Sequence, residues 1–382
     1  MLDFLVVGGG MAGASVAQAL AASGSTLLVE RESQPGYHAT GRSAAVFAAS
    51  YGPAPVRALT RASEAFLRQP PTGFAAQPLL SPRGALFVAE AHQAQDLAGL
   101  HHTLTAESSA VQRLSGAQTC ALLPVLRPDK VLGAVWDPGV CDIDVHALHQ
   151  GFLRGLRRAG GQWRGDAEVL ALARQGQHWQ AHVAGAGGTE VLEARVVVNA
   201  AGAWCDHVAA LAGVPALGIT PKRRSAFVFA GPGDLSHAGW PMAIGVGEDW
   251  YLKPDAGQWL GSPANADPTL PQDVQPEEMD IALGMHRIEE MTTLRIGRPQ
   301  RSWAGLRSFF AHGCPVAGFD PQVPGFFWLA GQGGYGIQTA PALGLAAAAL
   351  ACGDTLPAAL TGQGLSAQDL SVQRLRAFTT AA

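Results

Sequence analysis

"FLVVGGGMAGASVAQAL" (Phe4–Leu20) decides how the rest of the chain is read. Phe4 to Val7 is a short apolar run of strand type, and the Ala-rich stretch beyond the glycines suits a helix. Between them, Gly8, Gly10 and Gly13 fit G-x-G-x-x-G. In that pattern the first glycine permits a tight turn, the second lets the backbone approach a pyrophosphate, and the third lets helix and strand pack closely. The helix N-terminus then offers free N–H groups and a partial positive charge to the anion. A second strand, "TLLVE", ends in Glu30, about 20 residues on, where a carboxylate accepts ribose hydroxyls. An acid there disfavours a 2′-phosphate and hence NADP. The order strand, turn, helix, strand, acid predicts a bound dinucleotide.

At 382 residues the chain is long for one core, which suggests about two domains. With 48% hydrophobic and 15% charged residues it reads as a well-packed globular protein. A formal net charge of −4 gives no electrostatic reason to expect nucleic acid or an acidic membrane. The five cysteines (Cys120, Cys141, Cys205, Cys314, Cys352) are scattered, without C-x-x-C, and read as reduced thiols. Met1-Leu2-Asp3 runs straight into the first strand, so no signal peptide is expected. "APALGLAAAALACG" is too short to span a bilayer and reads as a buried helix. A cytoplasmic protein without an integral membrane segment is the expectation.

After the first βαβ unit, "SQPGYHATGRSAAVFAASYG" has little periodicity and reads as an ordered loop over the dinucleotide. "DVHALHQGFLRGLRRAGGQW" has helical spacing at Leu148, Phe152 and Leu156, with Asp144 as N-cap and Gly160 as stop. "EVLALARQGQHWQAHVAG" suggests a hairpin, and "ARVVVNAAGAW" an apolar strand ending in Ala-Gly. From "KRRSAFVFAG" through "DWYLKPDAGQWLGS" short alternating strands with Gly/Pro turns signal antiparallel sheet. The α/β fold expected is therefore a discontinuous dinucleotide domain (1–84, 144–215 and 319–382). Its insertions, 85–143 and 216–318, are expected to build a second domain of mainly antiparallel sheet.

Together these segments resemble the flavin-dependent D-amino acid oxidase/dehydrogenase family, and within it the bacterial catabolic D-arginine dehydrogenases. The resemblance is carried by "VVGGGMAGAS", "ERESQPGYHATGRSAA", "LLSPR", "PVLRPDKVLGA", "ALHQGFLRG", "VVNAAGAWCD", "PKRRSAF", "YLKPDAG", "GSPANADP", "WAGLRSF" and "GQGGYGIQT". They follow the family's order along nearly the whole chain. The resemblance implies a Rossmann-type, glutathione-reductase-like FAD domain with the flavin ring between the two domains. It also implies oxidative deamination of D-amino acids. Hydride would pass from Cα to flavin N5, leaving an imine that water hydrolyses to 2-oxo acid and ammonia. Oxygen or a quinone is expected to accept the electrons.

A substrate carboxylate calls for arginine, whose fork matches it in bidentate fashion. By resemblance Arg224 and Arg307 clamp it, and Tyr251 adds a hydroxyl. Tyr51 and the backbone carbonyl of Gly334 hold the amine, which must be neutral before hydride leaves. Ala12 joins Gly8, Gly10 and Gly13 in the implied phosphate loop, with Glu30 and Arg31 at the ribose. Ala39, Thr40, Gly41, Arg42, Ser43, Ala44, Ala45 and Val46 run along pyrophosphate and ring, Arg42 and Ser43 being the polar members. Val169 meets the adenine through its backbone, and the strand end at Ala201 and Gly202 approaches the cofactor. Gly333, Gly334, Tyr335, Gly336, Ile337, Gln338 and Thr339 form a second Gly-rich turn into a helix. Its N–H groups would face the flavin pyrimidine ring, where negative charge develops.

The sequence departs from the D-arginine dehydrogenases at three polar positions. Their glutamate after "LLSPR", which pairs with the substrate guanidinium, is Ala85 here, and a His and a Thr of the active-site loop are Val46 and Ala48. A hydrogen bond to a charged group is worth ~1.5–3 kcal/mol, so arginine should bind less well. Val46, Phe47, Ala48, Ala85, Met242 and Ile244, with Gln338, would line a drier pocket that favours neutral or apolar side chains. His146 and His149 stand at i, i+3 near Asp144 with no third ligand at metal spacing. No metal is expected, and the pair reads as a solvated or core-edge helix face. Flavin-tethering cysteines of sarcosine-oxidase-like relatives would fall near Ser308 rather than Cys314, so non-covalent FAD is expected. A glycine/sarcosine-type secondary-amine oxidase and a flavin-holding subunit without turnover stand as alternatives.

Overall fold

The computed structural model describes residues 1–231 and 238–381. Strand β1 (Leu2–Val7), helix α1 (Met11–Leu20) and strand β2 (Thr26–Val29) form the opening unit. β1 pairs in parallel with β2 on one side and with the strand Gly188–Asn199 on the other. A strand so placed is covered on both faces, which is why its sequence is a continuous apolar run. The sheet around it has eight strands. The hairpin of Glu168–Gln175 and His178–Gly185 extends it beyond Gly188–Asn199, and Gln162–Arg164 closes the other edge beside β2. Near Asn199 the sheet also takes in Phe326–Ala330, again in parallel.

Helices α1, Val145–Arg158 and Gly336–Cys352 share one core on this sheet, with Leu20, Leu156, Leu343 and Phe327 buried together. Trp179, Phe326 and Trp328 belong to a second core, with Leu5 and Val197. Asp144 caps its helix by accepting the Ala147 N–H at 2.8 Å, and Gly160 takes the left-handed φ of +86° just past its end. Helix Gly336–Cys352 is buried along most of its length. No helix among the described residues is long and apolar enough to cross a membrane.

A second, nine-stranded sheet gathers segments from both insertions. Ala85–Ala89 lies between Gly133–Asp137, antiparallel, and Met242–Gly245, the one parallel neighbour among these pairs. The sheet then runs antiparallel through Tyr251–Asp255 and Gln258–Ser262 to Thr220–Phe229, which is matched along its length by Arg301–Phe309. A small three-stranded sheet of Val46–Phe47, Cys141–Ile143 and Leu80–Pro82 adjoins it. There Asp142 stands directly opposite Val46 and binds buried Lys253 at 2.8 Å and Arg83 at 2.7 Å. This ion cluster fastens the loop that carries Val46 to the large sheet.

Candidate active site

The parallel strands Val7, Val29, Asn199 and Ala330 all deliver their carboxyl ends to one side of the first sheet. Open α/β sheets bind ligands in the crevice just beyond such ends. One continuous cleft lies there, bordered by Gly8, Gly10 and Ala12, by Glu30 and Arg31, and further along by Arg224, Tyr251 and Arg307. It joins the Gly8–Gly13 loop to the second sheet.

At the loop the three glycines divide the labour as their spacing predicts. Gly8 has φ +107°, and a Cβ there would sit 2.6 Å from the Ala200 carbonyl oxygen. A Cβ on Gly13 would stand 1.8 Å from the Gly8 oxygen, so only glycine lets α1 seat against β1. Gly10, the helix N-cap, faces nothing closer than Thr40 Oγ1 at 3.4 Å and leaves its backbone open. Glu30 accepts the Gly9 N–H at 2.7 Å and the Glu32 N–H at 3.0 Å. Thr40 Oγ1 accepts the Met11 N–H at 2.9 Å, which ties the second loop to the first. Ala39, Ser43, Ala44, Val169, Ala201 and Gly202 border the same cleft, as do Gly333, Gly336 and Ile337 of the second glycine-rich turn.

At the far end two antiparallel strands bring the arginines together. Arg224 stands opposite Gly305, and Arg307 opposite Lys222, so both arginines share one sheet face on a diagonal. A Cβ on Gly334 would meet Arg307 Nη1 at 3.2 Å, so the turn's glycine makes room for that guanidinium. Arg224 Nε donates to the Asn265 carbonyl at 2.6 Å, a neutral partner. Asn265 is itself fixed, accepting the Ser225 N–H at 2.8 Å and donating to Asp280 at 2.9 Å. Burial, and then the like charge of Arg307, lower the Arg224 pKa to about 10. Two partly buried cations thus face one cleft, and among the described residues neither forms a salt bridge with a carboxylate, an arrangement suited to an anion.

The expected side-chain pocket residues Val46, Ala48, Ala85, Met242 and Ile244 do not border the cleft; they form an apolar cluster beside its Tyr251, with Ala85 fully buried. Val46 and Ile244 pack both with Met242 and Tyr251 and with Ala48, Ala85 and Tyr51. Tyr51 meets Tyr335 edge to face at 5.1 Å, and burial pushes the Tyr335 hydroxyl up to about 12.

Several expected residues are committed elsewhere. Arg42 borders the cleft, yet its guanidinium donates to the Val274 carbonyl at 2.9 Å and the Ala304 carbonyl at 3.1 Å, and pairs with Asp273. It is a latch between loop and second sheet, rather than a free pyrophosphate ligand. Phe47, next to Val46 on a strand, turns the opposite way into the core of Leu59 and Leu67. Gln338 is buried, accepting the Ala48 N–H and donating to Thr60 Oγ1, both at 3.0 Å. It holds the Ala48 backbone instead of meeting a ligand. Thr339 is buried within the first helical turn, its hydroxyl on the Tyr335 carbonyl. Gly41 closes its loop on Gly36, and Ala45 accepts the Ile143 N–H.

Other residues escaped the sequence reading. Trp204 and His38 border the ribose end, with the Arg31 guanidinium 4.2 Å above the Trp204 ring. The rule that placed Ala201 and Gly202 at a strand end would have reached Trp204 two residues later. Gln332 borders the cleft with a buried Nε2 that has no hydrogen-bond partner among the described residues. Asn265 lay in a quoted segment, but nothing local links it to an arginine 41 residues away.

A family model described as FAD dependent oxidoreductase matches residues 3–350. FAD-dependent oxidoreductase domain-containing protein 1 of Xenopus laevis is 28% identical, over 42% of this chain and 36% of its own length. The match thus spans about a third of that curated relative. Glycine oxidase from Geobacillus kaustophilus superposes with a TM-score of 0.78 at 22% identity, covering 92% of this chain and 95% of the other. L-proline dehydrogenase from P. horikoshii gives 0.81 at 19% identity, over 98% of both chains. At such identities the two structures speak for the fold alone.

Proposed function

The chain belongs to the DAO family of FAD-dependent oxidoreductases and takes FAD as its cofactor, and from that premise we propose that it deaminates D-amino acids oxidatively. The observation that carries this reading is the pair Arg224 and Arg307, set on one face at the end of the cleft away from the phosphate loop. A substrate with a carboxylate would relieve their repulsion and pair with guanidinium groups that, among the described residues, make no salt bridge to a protein carboxylate. The solved relatives named above carry amino acids in their names, which supports a carboxylate-bearing amine. The D configuration rests on the resemblance of the quoted segments.

FAD held along the cleft by the Gly8–Gly13 loop and Glu30 would supply a two-electron oxidant for hydride from the substrate Cα, and no covalent tether is proposed. The protein's part is orientation. Arg224, Arg307 and the Tyr251 hydroxyl hold the carboxylate, while the Tyr51 hydroxyl and the Gly334 carbonyl receive the N–H groups of the neutral amine. Fixing the substrate at both ends leaves one orientation for the Cα–H bond. The apolar cluster of Val46, Ala48, Ala85, Met242 and Ile244 packed beside Tyr251 favours a neutral side chain, each buried methylene adding ~0.8 kcal/mol. A guanidinium there would lose hydration without a partner. Water then converts the imine to 2-oxo acid and ammonia, and oxygen or a quinone takes up the electrons.

The test is anaerobic loss of the yellow absorbance with D-leucine, D-methionine, D-arginine, L-leucine and sarcosine. D-leucine and D-methionine should act fastest. A preference for D-arginine would overturn the side-chain assignment, and a preference for sarcosine would favour the secondary-amine reading suggested by the glycine oxidase likeness. No bleaching by any of them would point to a flavin-holding subunit.

A further inference from the structure

His149 is expected from the sequence to lie on a solvated or core-edge helix face. Instead it is buried, 3% exposed, on the helix Val145–Arg158. Its Nε2 lies 2.9 Å from the Gly9 carbonyl oxygen. A carbonyl can only accept, so Nε2 carries the proton and the tautomer is fixed. The hydrogen-bond ladder of α1 opens with Ala14 N–H on the Gly10 carbonyl, which leaves the Gly9 carbonyl outside it. Gly9 is therefore gripped on both sides from two elements: Glu30 takes the N–H of the Gly8–Gly9 peptide, and His149 serves the C=O of the Gly9–Gly10 peptide.

The same ring touches the second loop of the cleft. Gly36 has φ +85°, and a Cβ there would lie 3.1 Å from His149 Cε1 and 3.4 Å from Nδ1. Gly36 borders the cleft, and its carbonyl accepts the Gly41 N–H at 2.7 Å. One imidazole thus braces the loop that starts at Gly8 and the loop that contains Thr40.

We propose that His149 is a positioning residue for the cofactor, holding the Gly9–Gly10 peptide so that the open backbone there faces the FAD pyrophosphate. A residue needed only to fill space would serve as well without a donor. The role concerns binding of FAD and is independent of which substrate is oxidised.

Three substitutions separate the two roles. His149→Gln can place an amide N–H at the depth of Nε2, His149→Asn only at the depth of Nδ1, and His149→Leu offers none. FAD is titrated into each full-length protein after cofactor removal, and the melting temperature of each cofactor-free protein is measured. The Gln variant should bind FAD within about threefold of the wild type, and the Asn and Leu variants roughly 10-fold or more weaker. Melting temperatures of Gln and Asn variants should be alike. Equal FAD affinities for the Gln and Asn variants would overturn the proposal, as would affinities that merely track the melting temperatures. Should the Leu variant not fold, the Gln–Asn pair alone decides.

Discussion

The two ends of the cleft are built from different materials. The phosphate end is backbone: glycines that let chains approach, N–H groups at a helix start, and a carboxylate and an imidazole that hold the two peptide groups flanking Gly9. The substrate end is side chains, delivered by strands far apart in sequence and braced by a relay from Asp280 through Asn265 to Arg224. Damage to the first should appear as lost FAD, and damage to the second as lost substrate affinity in a fully yellow protein.

The largest effect expected is at Gly13. In Gly13→Val the Cβ would collide with the Gly8 oxygen, so α1 must leave β1. FAD affinity should fall more than about 100-fold, or roughly 2.7 kcal/mol, by fluorescence titration. Near-normal affinity would show that the backbone end tolerates what its geometry forbids.

Arg307→Met and Arg224→Met come next. Each removes a charge-assisted hydrogen bond to the carboxylate and should cut kcat/KM on the order of 100-fold while FAD content stays full. A variant that loses FAD in proportion to its activity would erase the distinction between the ends.

Ala85→Glu tests the apolar cluster. If Ala85 faces the side chain, D-arginine should gain about 10-fold or more in kcat/KM relative to D-leucine. An unchanged ranking would remove Ala85 from the pocket.

Smaller again, Asn265→Ala keeps the arginine but loosens its support. KM should rise about 5- to 10-fold with kcat within twofold, since orientation is lost and charge is not.

The smallest effect belongs to the latch. The Arg42 hydrogen bond holds the Asp273 carboxyl below the usual carboxylate range. Its contribution is therefore present above about pH 4 and lost as pH falls through the lowered pKa. FAD retention should weaken in that acid window by a few-fold in the wild type, and Asp273→Asn should flatten the dependence. Asp273 is half exposed, so solvent screens the pair and keeps the effect small.

The same contrast governs what the sequence discloses. Backbone requirements are local, so the glycine spacing, Glu30 and the apolar strands placed the first sheet and its loop. Side-chain partnerships are not local. Arg42 and Ser43 look alike as polar residues of one loop, and only the fold shows Arg42 spent on Asp273, Val274 and Ala304. Phe47 was misplaced because a two-residue strand gives no period from which to infer its face. Gln338 beside the glycine turn suggested a ligand contact, whereas a buried amide also satisfies Thr60 and Ala48 across more than 270 residues of chain. His149 was set aside for lacking metal partners, although its partner is a backbone carbonyl that no side-chain pattern reveals.

Selection of a carboxylate by the arginine pair, beside an apolar cluster, is what the proposed activity depends on most. It is tested most directly by comparing D-leucine with 3-methylbutylamine, the same amine without its carboxylate, as anaerobic reductants of the bound flavin. Reduction by D-leucine should be at least about 100-fold faster at equal sub-saturating concentration, a difference of roughly 2.7 kcal/mol. Equal rates, or a faster amine, would contradict it.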